Sequence, residues 1–256
     1  SNEKLNLNWF HTQTLKCVQE EQRTGVIEKS LLLKTVETAI CKCFERISGA
    51  KNASIIFDLD THRLVLDFES ADGILQKFAM DEMSDGYKNT LSMIGDIAYR
   101  MAVLNPMLGE KVLEETPGVI LIDEIDLHLH PQWQQTIISD LISIFPKIQF
   151  IVSSHAPAVI NSVSREQIRI LDNGEIYIPA AQTYGRDANS ILREVMKVSE
   201  RPMRITELLK AFYVFMDNKQ YDEADKVLSE IEDVVGTTDP DIAAAGTALD
   251  LEKILR

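Results

Sequence analysis

The first fifty residues show the hydrophobic spacing of helices. In "SLLLKTVETAICKCFERI" apolar residues recur every three or four positions, which puts them on one helix face. These residues are Leu33, Val36, Ile40, Cys43 and Phe44. The pattern predicts helices over residues 8–22 and 28–47, and Ser30 is a suitable N-cap for the second.

A different period follows, and it predicts a hairpin and then a long helix. "ASIIFDLD" and "HRLVLDFE" alternate apolar and polar positions, so we expect two strands joined at Asp60-Thr61. "MSDGYKNTLSMIGDIAYRMAVL" returns to helical spacing up to about Leu104, where Asn105-Pro106 ends it.

The middle of the chain has two short, continuous apolar runs, "GVILID" and "IQFIVSSH". Such runs are typical of parallel strands that are buried on both faces. Between them "PQWQQTIISDLISIF" predicts a helix with Pro131 in its first turn, and "APAVINSV" begins another. "QIRILDNGEIYI" predicts a hairpin that turns at Asn173-Gly174. Strand, helix and strand in this order predict an α/β fold with functional groups at the carboxyl ends of the strands.

No strand pattern appears after about Asp187, where four amphipathic segments predict helices. The pair around "NKQYDEADKVL" resembles a single helical-hairpin repeat, which is too little for a solenoid. We therefore predict three regions: N-terminal helices over 1–50, an α/β lobe over 51–186, and an α-helical tail over 187–256.

Composition and charge narrow the class of protein. The 256 residues are 45% hydrophobic, which is enough for a packed core, and their net charge of −14 lacks the basic footprint of a nucleic-acid-binding protein. No apolar run of transmembrane length and no signal-peptide pattern is visible in the sequence. Three cysteines predict reduced thiols, and Cys41 and Cys43 would point to different faces of a helix. These features predict a cytoplasmic protein without a membrane partner.

Asp123 and Glu124 follow the first buried strand directly, and "SSH" ends the second about thirty residues later. Two interpretations are open for the acids. They would cap the next helix or pair with lysines, or they would serve phosphoryl transfer. In the second case the first acid holds Mg²⁺, directly or through water, and the next positions or deprotonates the attacking water.

The Ser84-Asp85-Gly86 turn opens the long helix. Free N–H groups and the helix dipole at this end would favour an anion such as a γ-phosphate. An ordinary helix cap explains the same residues, so this turn alone decides nothing.

The order "SDGYK", "VILIDE", "LHLHP" and "FIVSSHAP" resembles the second lobe of ABC-type ATPases of the SMC, RecF and OLD kind, over roughly residues 83–163. The resemblance implies a P-loop NTPase lobe with parallel strands flanked by helices. It implies that Ser84 and Gly86 form a signature motif, that Asp123 is the Walker B magnesium ligand, that Glu124 is the catalytic glutamate and that His155 is the switch histidine. Four further residues become candidates for nucleotide binding: Asp85, Lys88, Asp126 and His128.

The pattern G-x-x-x-x-G-K-[ST], which would cradle the phosphates of ATP, does not occur in the sequence. Together with a start at Ser-Asn-Glu, this leads us to expect a C-terminal piece of a longer ATPase that does not hydrolyse ATP alone. The family implies ATP and Mg²⁺ as cofactors, with a Walker A Ser or Thr outside this chain as the second magnesium ligand. It also implies homodimerisation through heads that sandwich ATP. DNA contact is left open, because the charge does not support it.

A narrower resemblance includes "AAQTYGRDANSILREVMKVSERP" and extends over nearly the whole chain. It is to ATPases of bacterial anti-phage defence systems, of the Septu PtuA and retron-associated kind. That family implies a separate HNH nuclease as partner. For Arg186 two interpretations are open, contact with a phosphate or partner and an Arg-Asp pair that closes a turn.

Two other functions remain as alternatives. The first alternative is an interaction module that docks a nuclease or sister subunit. The second is a metal-dependent hydrolase that uses no nucleotide. The second would use His128, His130 and His155 with the neighbouring acids, although their spacing matches no known ligand pattern. We expect Trp133, Leu127 and Leu129 to pack in the core.

Overall fold

The computed structural model describes residues 2–26 and 29–254, with side chains from residue 8 onward. The chain divides into two compact units, Ser1–Arg186 and Asp187–Arg256. Residues 1–50 and 51–186 therefore lie in one unit. The predicted start of the second helix, residue 28, and the last two residues of the predicted tail lie outside the described residues.

The helices and strands have the following bounds. The α-helices are α1 (Asn2–Thr24), α2 (Leu31–Ser48), α3 (Asp85–Leu104), α4 (Val112–Glu115), α5 (Pro131–Gln134), α6 (Ile137–Ile144), α7 (Pro157–Ile160), α8 (Ala188–Ser190), α9 (Met203–Asp217), α10 (Tyr221–Val235) and α11 (Pro240–Ile254). The strands are β1 (Lys51–Asp58), β2 (Arg63–Glu69), β3 (Leu75–Ala79), β4 (Gly118–Ile122), β5 (Ile148–Val152), β6 (Ile170–Asp172) and β7 (Glu175–Tyr177).

Helix α2 forms as its periodicity predicts. Ser30 caps it by accepting a hydrogen bond from Leu33 N at 3.3 Å, and all five periodic residues are buried at 3% exposure or less. This face packs against α3 and against an antiparallel sheet of order β1-β2-β3. The Asp58 carboxylate accepts from the backbone N–H groups of Asp60 and Thr61, which shapes the predicted turn. The sheet's third strand, β3, was not predicted.

Strands β4 and β5 are parallel, with Gly118 opposite Ile148 and Ile122 opposite Val152. The prediction that both faces are buried is wrong. Ile120, Ile122, Phe150 and Val152 pack against the core, whereas Val119, Leu121 and Ile151 are 57%, 77% and 51% exposed. Within the described residues each strand pairs with the other alone, so this small sheet has an uncovered apolar face.

The segments after the two strands are less regular than predicted. The helix that begins at Pro131 stops at Gln134 and resumes at Ile137, because Gln135 and Thr136 form an intervening turn. The segment "APAVINSV" forms a single helical turn, α7. The hairpin β6-β7 turns at Asn173-Gly174, as predicted, with φ values of 50° and 84° that suit a type I′ turn.

A buried ion pair connects α2 to α6. Asp140 is 3% exposed, and its Oδ1 accepts from Arg46 Nε at 2.5 Å. Its other oxygen, Oδ2, is buried and has no hydrogen-bond partner among the described residues. A buried carboxylate of this kind depends on its one cation, because desolvation penalises an unpaired charge.

The second unit is helical and has its own core. Asp187 caps α8 by accepting from Ser190 N at 3.0 Å, and the chain continues as a π-helical turn over Ile191–Val195 instead of the predicted continuous α-helix. Helices α9, α10 and α11 bury nine residues between them: Ile205, Phe212, Tyr221, Ala224, Leu228, Ile231, Ile242, Ala245 and Leu249. Arg201 binds Asp239 and Asp241 at 2.8 and 2.6 Å and so connects the starts of α9 and α11.

Two further findings concern the chain as a whole. Cys43 is buried and Cys41 is half-buried, and burial raises the pKa of both thiols to about 12. Among the residues that the structure describes, no helix combines the length and the apolar character needed to cross a membrane.

Candidate functional site

The candidate site lies at the carboxyl ends of the parallel strands. Asp123 and Glu124 follow β4, and Ser153 and His155 follow β5. Because the strands run in parallel, their ends meet at the same edge of the sheet, where side chains leave the backbone towards open space. All four residues are exposed.

One serine binds the segment that carries the two acids. The Ser153 hydroxyl donates to Asp123 Oδ1 and accepts from the Glu124 backbone N–H at 2.8 Å. Its backbone continues the β4–β5 ladder, donating to Ile122 O and accepting from Ile125 N, both at 3.0 Å. Glu124 is held with φ of 50°, a left-handed conformation that non-glycine residues seldom adopt.

The loop after Glu124 connects the two strand ends a second time. Asp126 Oδ1 accepts from the His155 backbone N–H at 3.3 Å. Two tight turns follow, in which Leu127 N donates to Glu124 O and Leu129 N donates to Asp126 O. The structure thus brings together four predicted site residues: Asp123, Glu124, Asp126 and His155.

The start of α3 packs against this loop. A Cβ built on Gly86 would lie 2.7 Å from the backbone oxygen of His128 and 3.2 Å from Trp133 Cζ3. The next residue, Tyr87, places its ring edge-on against Trp133, with 4.2 Å between the ring centroids. Gly86 is buried, and glycine is required there because no side chain fits against the His128 carbonyl. This contact joins the predicted signature motif to the segment after the acids.

Ser84 and Asp85, at the start of α3, face solvent, and Lys88 is half-buried. Asp85 Oδ1 and Lys88 Nζ form an ion pair at 2.8 Å, and the hydrogen bond from Lys88 lowers the pKa of Asp85. Ser84 occupies the N-cap position of α3, yet its hydroxyl makes no capping hydrogen bond to this helix. Among the described residues, no hydrogen bond joins Ser84 to Asp123 or Glu124.

Among the remaining candidates, His128 lies near the start of α3, since after Lys88 it is a further cause of the lowered pKa of Asp85. His130 Nδ1 accepts from Gln132 N at 3.3 Å and so caps α5. In the described part of the chain no three His, Cys, Asp or Glu residues are grouped so that they could hold a metal ion. Leu129 is buried and Trp133 packs on the core, as predicted, but Leu127 is 57% exposed, so that prediction is wrong.

The "TYGRD" segment binds the chain after α7 through its backbone. Thr183 is fully buried and donates to Val163 O at 2.7 Å, and Gly185 N donates to Asn161 O at 2.9 Å. The Asn161 side chain returns a hydrogen bond to Arg186 O at 2.9 Å. These contacts give the segment a structural role within the first unit.

The sequence analysis did not assign a role to Ser153 or to Gln134. Gln134 donates from Nε2 to Leu129 O at 3.2 Å and so supports the loop after the acids. The signal for Ser153 was its place directly after the second buried strand, at the position equivalent to Asp123 after the first. The hydrogen-bond partners of its hydroxyl, however, depend on the register of the parallel strands, which cannot be read from the sequence alone.

Comparison with known proteins identifies the relatives of this chain. Residues 43–161 match the family described as "AAA domain, putative AbiEii toxin, Type IV TA system". The retron Vc95 probable ATPase of Vibrio cholerae is 39% identical over 148 residues, and the retron Ec83 probable ATPase of Escherichia coli is 32% identical over 217 residues. These matches cover 55% and 84% of this chain, and 28% and 38% of the relatives.

The Septu protein PtuA of Bacillus thuringiensis is 26% identical over 222 residues, which are 83% of this chain and 53% of the relative. The chain is a homologue of the retron probable ATPases and of the Septu protein PtuA. These matches confirm the resemblance to anti-phage defence ATPases, and the structure confirms the predicted α/β fold class with C-terminal helices. The chain spans between about a fifth and about half of the length of the curated relatives that it matches.

Among solved structures, a chain from "Structural biochemistry of ATP-driven dimerization and DNA stimulated activation of SMC ATPases" aligns with a TM-score of 0.38 and 16% identity. The alignment covers 64% of this chain and 92% of that one.

The exposed acids have the chemistry that a magnesium ion, the metal implied by the resemblance to ATPases, would need. Mg²⁺ prefers hard oxygen ligands and is commonly held by one or two carboxylates together with the phosphates of its substrate. Asp123 offers one exposed carboxylate, and Glu124 lies beside it. A set of three protein ligands is unnecessary for such a site.

Proposed function

We propose that this chain supplies the Walker B half of an ABC-type ATPase. Asp123 would hold Mg²⁺, Glu124 would orient and deprotonate the water that attacks the γ-phosphate, and His155 would contact that phosphate. When bound, Mg²⁺ neutralises charge on the β- and γ-phosphate oxygens. A carboxylate acting as a general base contributes a factor of about 10²–10⁴.

The observation that supports this proposal is the junction of the two strand ends. Ser153 binds the Asp123 carboxylate and the Glu124 backbone N–H, and the Asp126 carboxylate accepts from the backbone N–H of His155. A pair of helix-capping acids would need no such connection to the neighbouring strand. Within the segment between the strands, the helix α5 is capped by His130, not by either acid.

We propose that the phosphate-binding loop lies on another lobe of the same protein. The chain has no G-x-x-x-x-G-K-[ST] pattern, so it has no cradle for the phosphates. The uncovered face of β4 and β5, with Val119, Leu121 and Ile151, is where that lobe would pack, because parallel sheets are ordinarily covered on both faces.

The test is ATP hydrolysis by this chain alone and by the same chain joined to the polypeptide encoded upstream of it. We expect no turnover from the chain alone and Mg²⁺-dependent turnover from the joined protein. Robust hydrolysis by the isolated chain would contradict the division of the site between two lobes. An inactive joined protein that nevertheless binds ATP would contradict the assignment of Glu124.

We further propose that two such heads dimerise around ATP. Ser84 and Asp85 face solvent at the start of α3, where the free N–H groups of a helix favour a phosphate from an opposing head. Ser84→Arg should abolish ATP-dependent dimerisation in the joined protein, as measured by light scattering. Unchanged dimerisation and hydrolysis would show that the signature assignment is wrong.

The second candidate function is docking of a partner, for which the HNH nuclease of the family resemblance is our proposal. The helical unit has its own core, and α9 leaves Tyr213 and Val214 more than half exposed. Deletion of residues 187–256 should abolish nuclease capture while ATP binding by the joined protein persists. Loss of both together would indicate that the unit is needed for folding. DNA remains a candidate ligand without support from the chain's charge.

A further inference from the structure

We propose that Ser153 is a positioning residue that sets the orientation of both acids of the Walker B segment. This inference rests on the proposed function, because its importance depends on Asp123 and Glu124 acting on ATP. Ser153 does not itself meet the nucleotide in this proposal. It acts through its hydrogen bonds to the two acids.

Ser153 makes hydrogen bonds through both its hydroxyl and its backbone to the end of the neighbouring strand. Its hydroxyl donates to Asp123 and accepts from the Glu124 N–H, and its backbone pairs with Ile122 and Ile125. One residue therefore binds four consecutive residues of the neighbouring strand end. No other residue of the two strand ends, within the described chain, hydrogen-bonds both acids.

The chemistry requires a hydroxyl. A serine or threonine oxygen is donor and acceptor at once, so one atom serves a carboxylate and an amide N–H together. Alanine would serve neither, and cysteine is a weak donor and a weak acceptor. The backbone contacts to Ile122 and Ile125 would survive any of these substitutions, because they use the main chain alone.

Each hydroxyl contact has a separate consequence for the acid it touches. At Asp123 the contact engages Oδ1 and so restricts rotation of the carboxylate that would hold a magnesium ion. At Glu124 the contact fixes the amide of a residue with φ of 50°. The left-handed backbone determines the direction in which this side chain leaves the strand end, so releasing the amide would release the carboxylate as well.

The first test uses the chain itself and needs no nucleotide. Amide hydrogen exchange of Ser153→Ala is compared with the wild type at Glu124 and at Ile125. We expect the Glu124 amide to exchange about fivefold faster, as the loss of an ordinary hydrogen bond implies, while the Ile125 amide is unchanged. Ser153→Thr should keep the wild-type rate. Ser154→Ala is the matched control, because the Ser154 hydroxyl bonds Ala156 N instead.

The second test uses the protein joined to its phosphate-binding lobe. Ser153→Ala should lower kcat by about tenfold or more and raise the Mg²⁺ concentration needed for half-maximal activity, with little change in ATP affinity measured without Mg²⁺. Ser153→Thr should restore both values and Ser154→Ala should change neither. A merely structural serine would alter stability without shifting the Mg²⁺ requirement.

The two tests separate the failure of this inference from the failure of the proposed function. Unchanged exchange at Glu124 in Ser153→Ala would overturn the positioning role directly. Faster exchange with an unchanged kcat and Mg²⁺ requirement would overturn its importance for hydrolysis. If the joined wild-type protein hydrolyses no ATP, the proposed function fails, and the exchange result still decides whether Ser153 positions the segment.

Discussion

Replacing Gly86 with alanine tests the contact that joins α3 to the loop after the acids. The new Cβ would lie 2.7 Å from the His128 backbone oxygen, about 0.6 Å inside the 3.3 Å at which such C···O contacts begin. Because the obstacle is a backbone carbonyl, either the helix or the loop must move. Overpacking of this kind costs about 1–3 kcal/mol, whereas alanine in a helix gains at most about 1 kcal/mol over glycine. Subtracting that gain leaves an expected net loss of up to about 2 kcal/mol.

The assay is urea unfolding followed by tryptophan fluorescence, which reports on the first unit because Trp9 and Trp133 both lie there. Gly246→Ala is the matched control, followed by circular dichroism. Its Cβ would meet Leu228 Cδ2 at an ordinary 3.8 Å, so that variant should keep or gain stability. A Gly86→Ala protein as stable as the wild type, with unchanged Trp133 fluorescence, would refute the contact.

Three further predictions concern groups outside the site. Arg46→Met leaves the buried Asp140 carboxylate without its ion-pair partner and should lower the free energy of unfolding in urea by about 3 kcal/mol, most of which Asp140→Leu should restore. An Arg46→Met protein as stable as the wild type would contradict this. Arg201 lowers the pKa of Asp239, so that carboxylate stabilises the helical unit above its unfolded pKa of about 4 and loses this effect as the pH falls through its folded pKa. Asp239→Asn should therefore lower stability at pH 7 and flatten the acid limb of the thermal unfolding profile, and an unchanged limb would contradict it. Burial raises the pKa of Cys43 to about 12, so a thiol reagent at pH 8 should label it only after urea is added, which mass spectrometry would show.

Local sequence patterns predicted the elements whose signals lie within the elements themselves. The helical period of α2, its Ser30 cap and the Asn173-Gly174 turn all formed as predicted, since each depends on neighbouring residues. The strand β3 was missed because "LQKFA" is short, and two of its five residues are charged or amide side chains.

The sequence predicted less well wherever a long-range partner decides the outcome. "GVILI" is typical of a strand buried on both faces, yet burial depends on what covers the sheet, and here Val119 and Leu121 are exposed. The helix after Pro131 appeared continuous, although the turn at Gln135-Thr136 separates α5 from α6.

In the candidate site, too, the local motifs could be read from the sequence and the long-range contacts could not. The acids and the histidine were visible as motifs at strand ends. The hydrogen bonds that Ser153 makes to Asp123 and Glu124 required the parallel register, and the reason why position 86 is glycine required the packing of His128 against α3. The sequence therefore indicated the candidate groups, and the structure shows how they are placed relative to one another.

The most direct measurement of the central claim is single-turnover ATP hydrolysis by the joined protein with Glu124→Gln. The account predicts that ATP and Mg²⁺ still bind and that hydrolysis falls at least about 100-fold, as the loss of a general base implies. The control Glu115→Gln, an exposed acid before β4, should hydrolyse ATP at the wild-type rate. Wild-type hydrolysis by the Glu124→Gln protein would contradict the account.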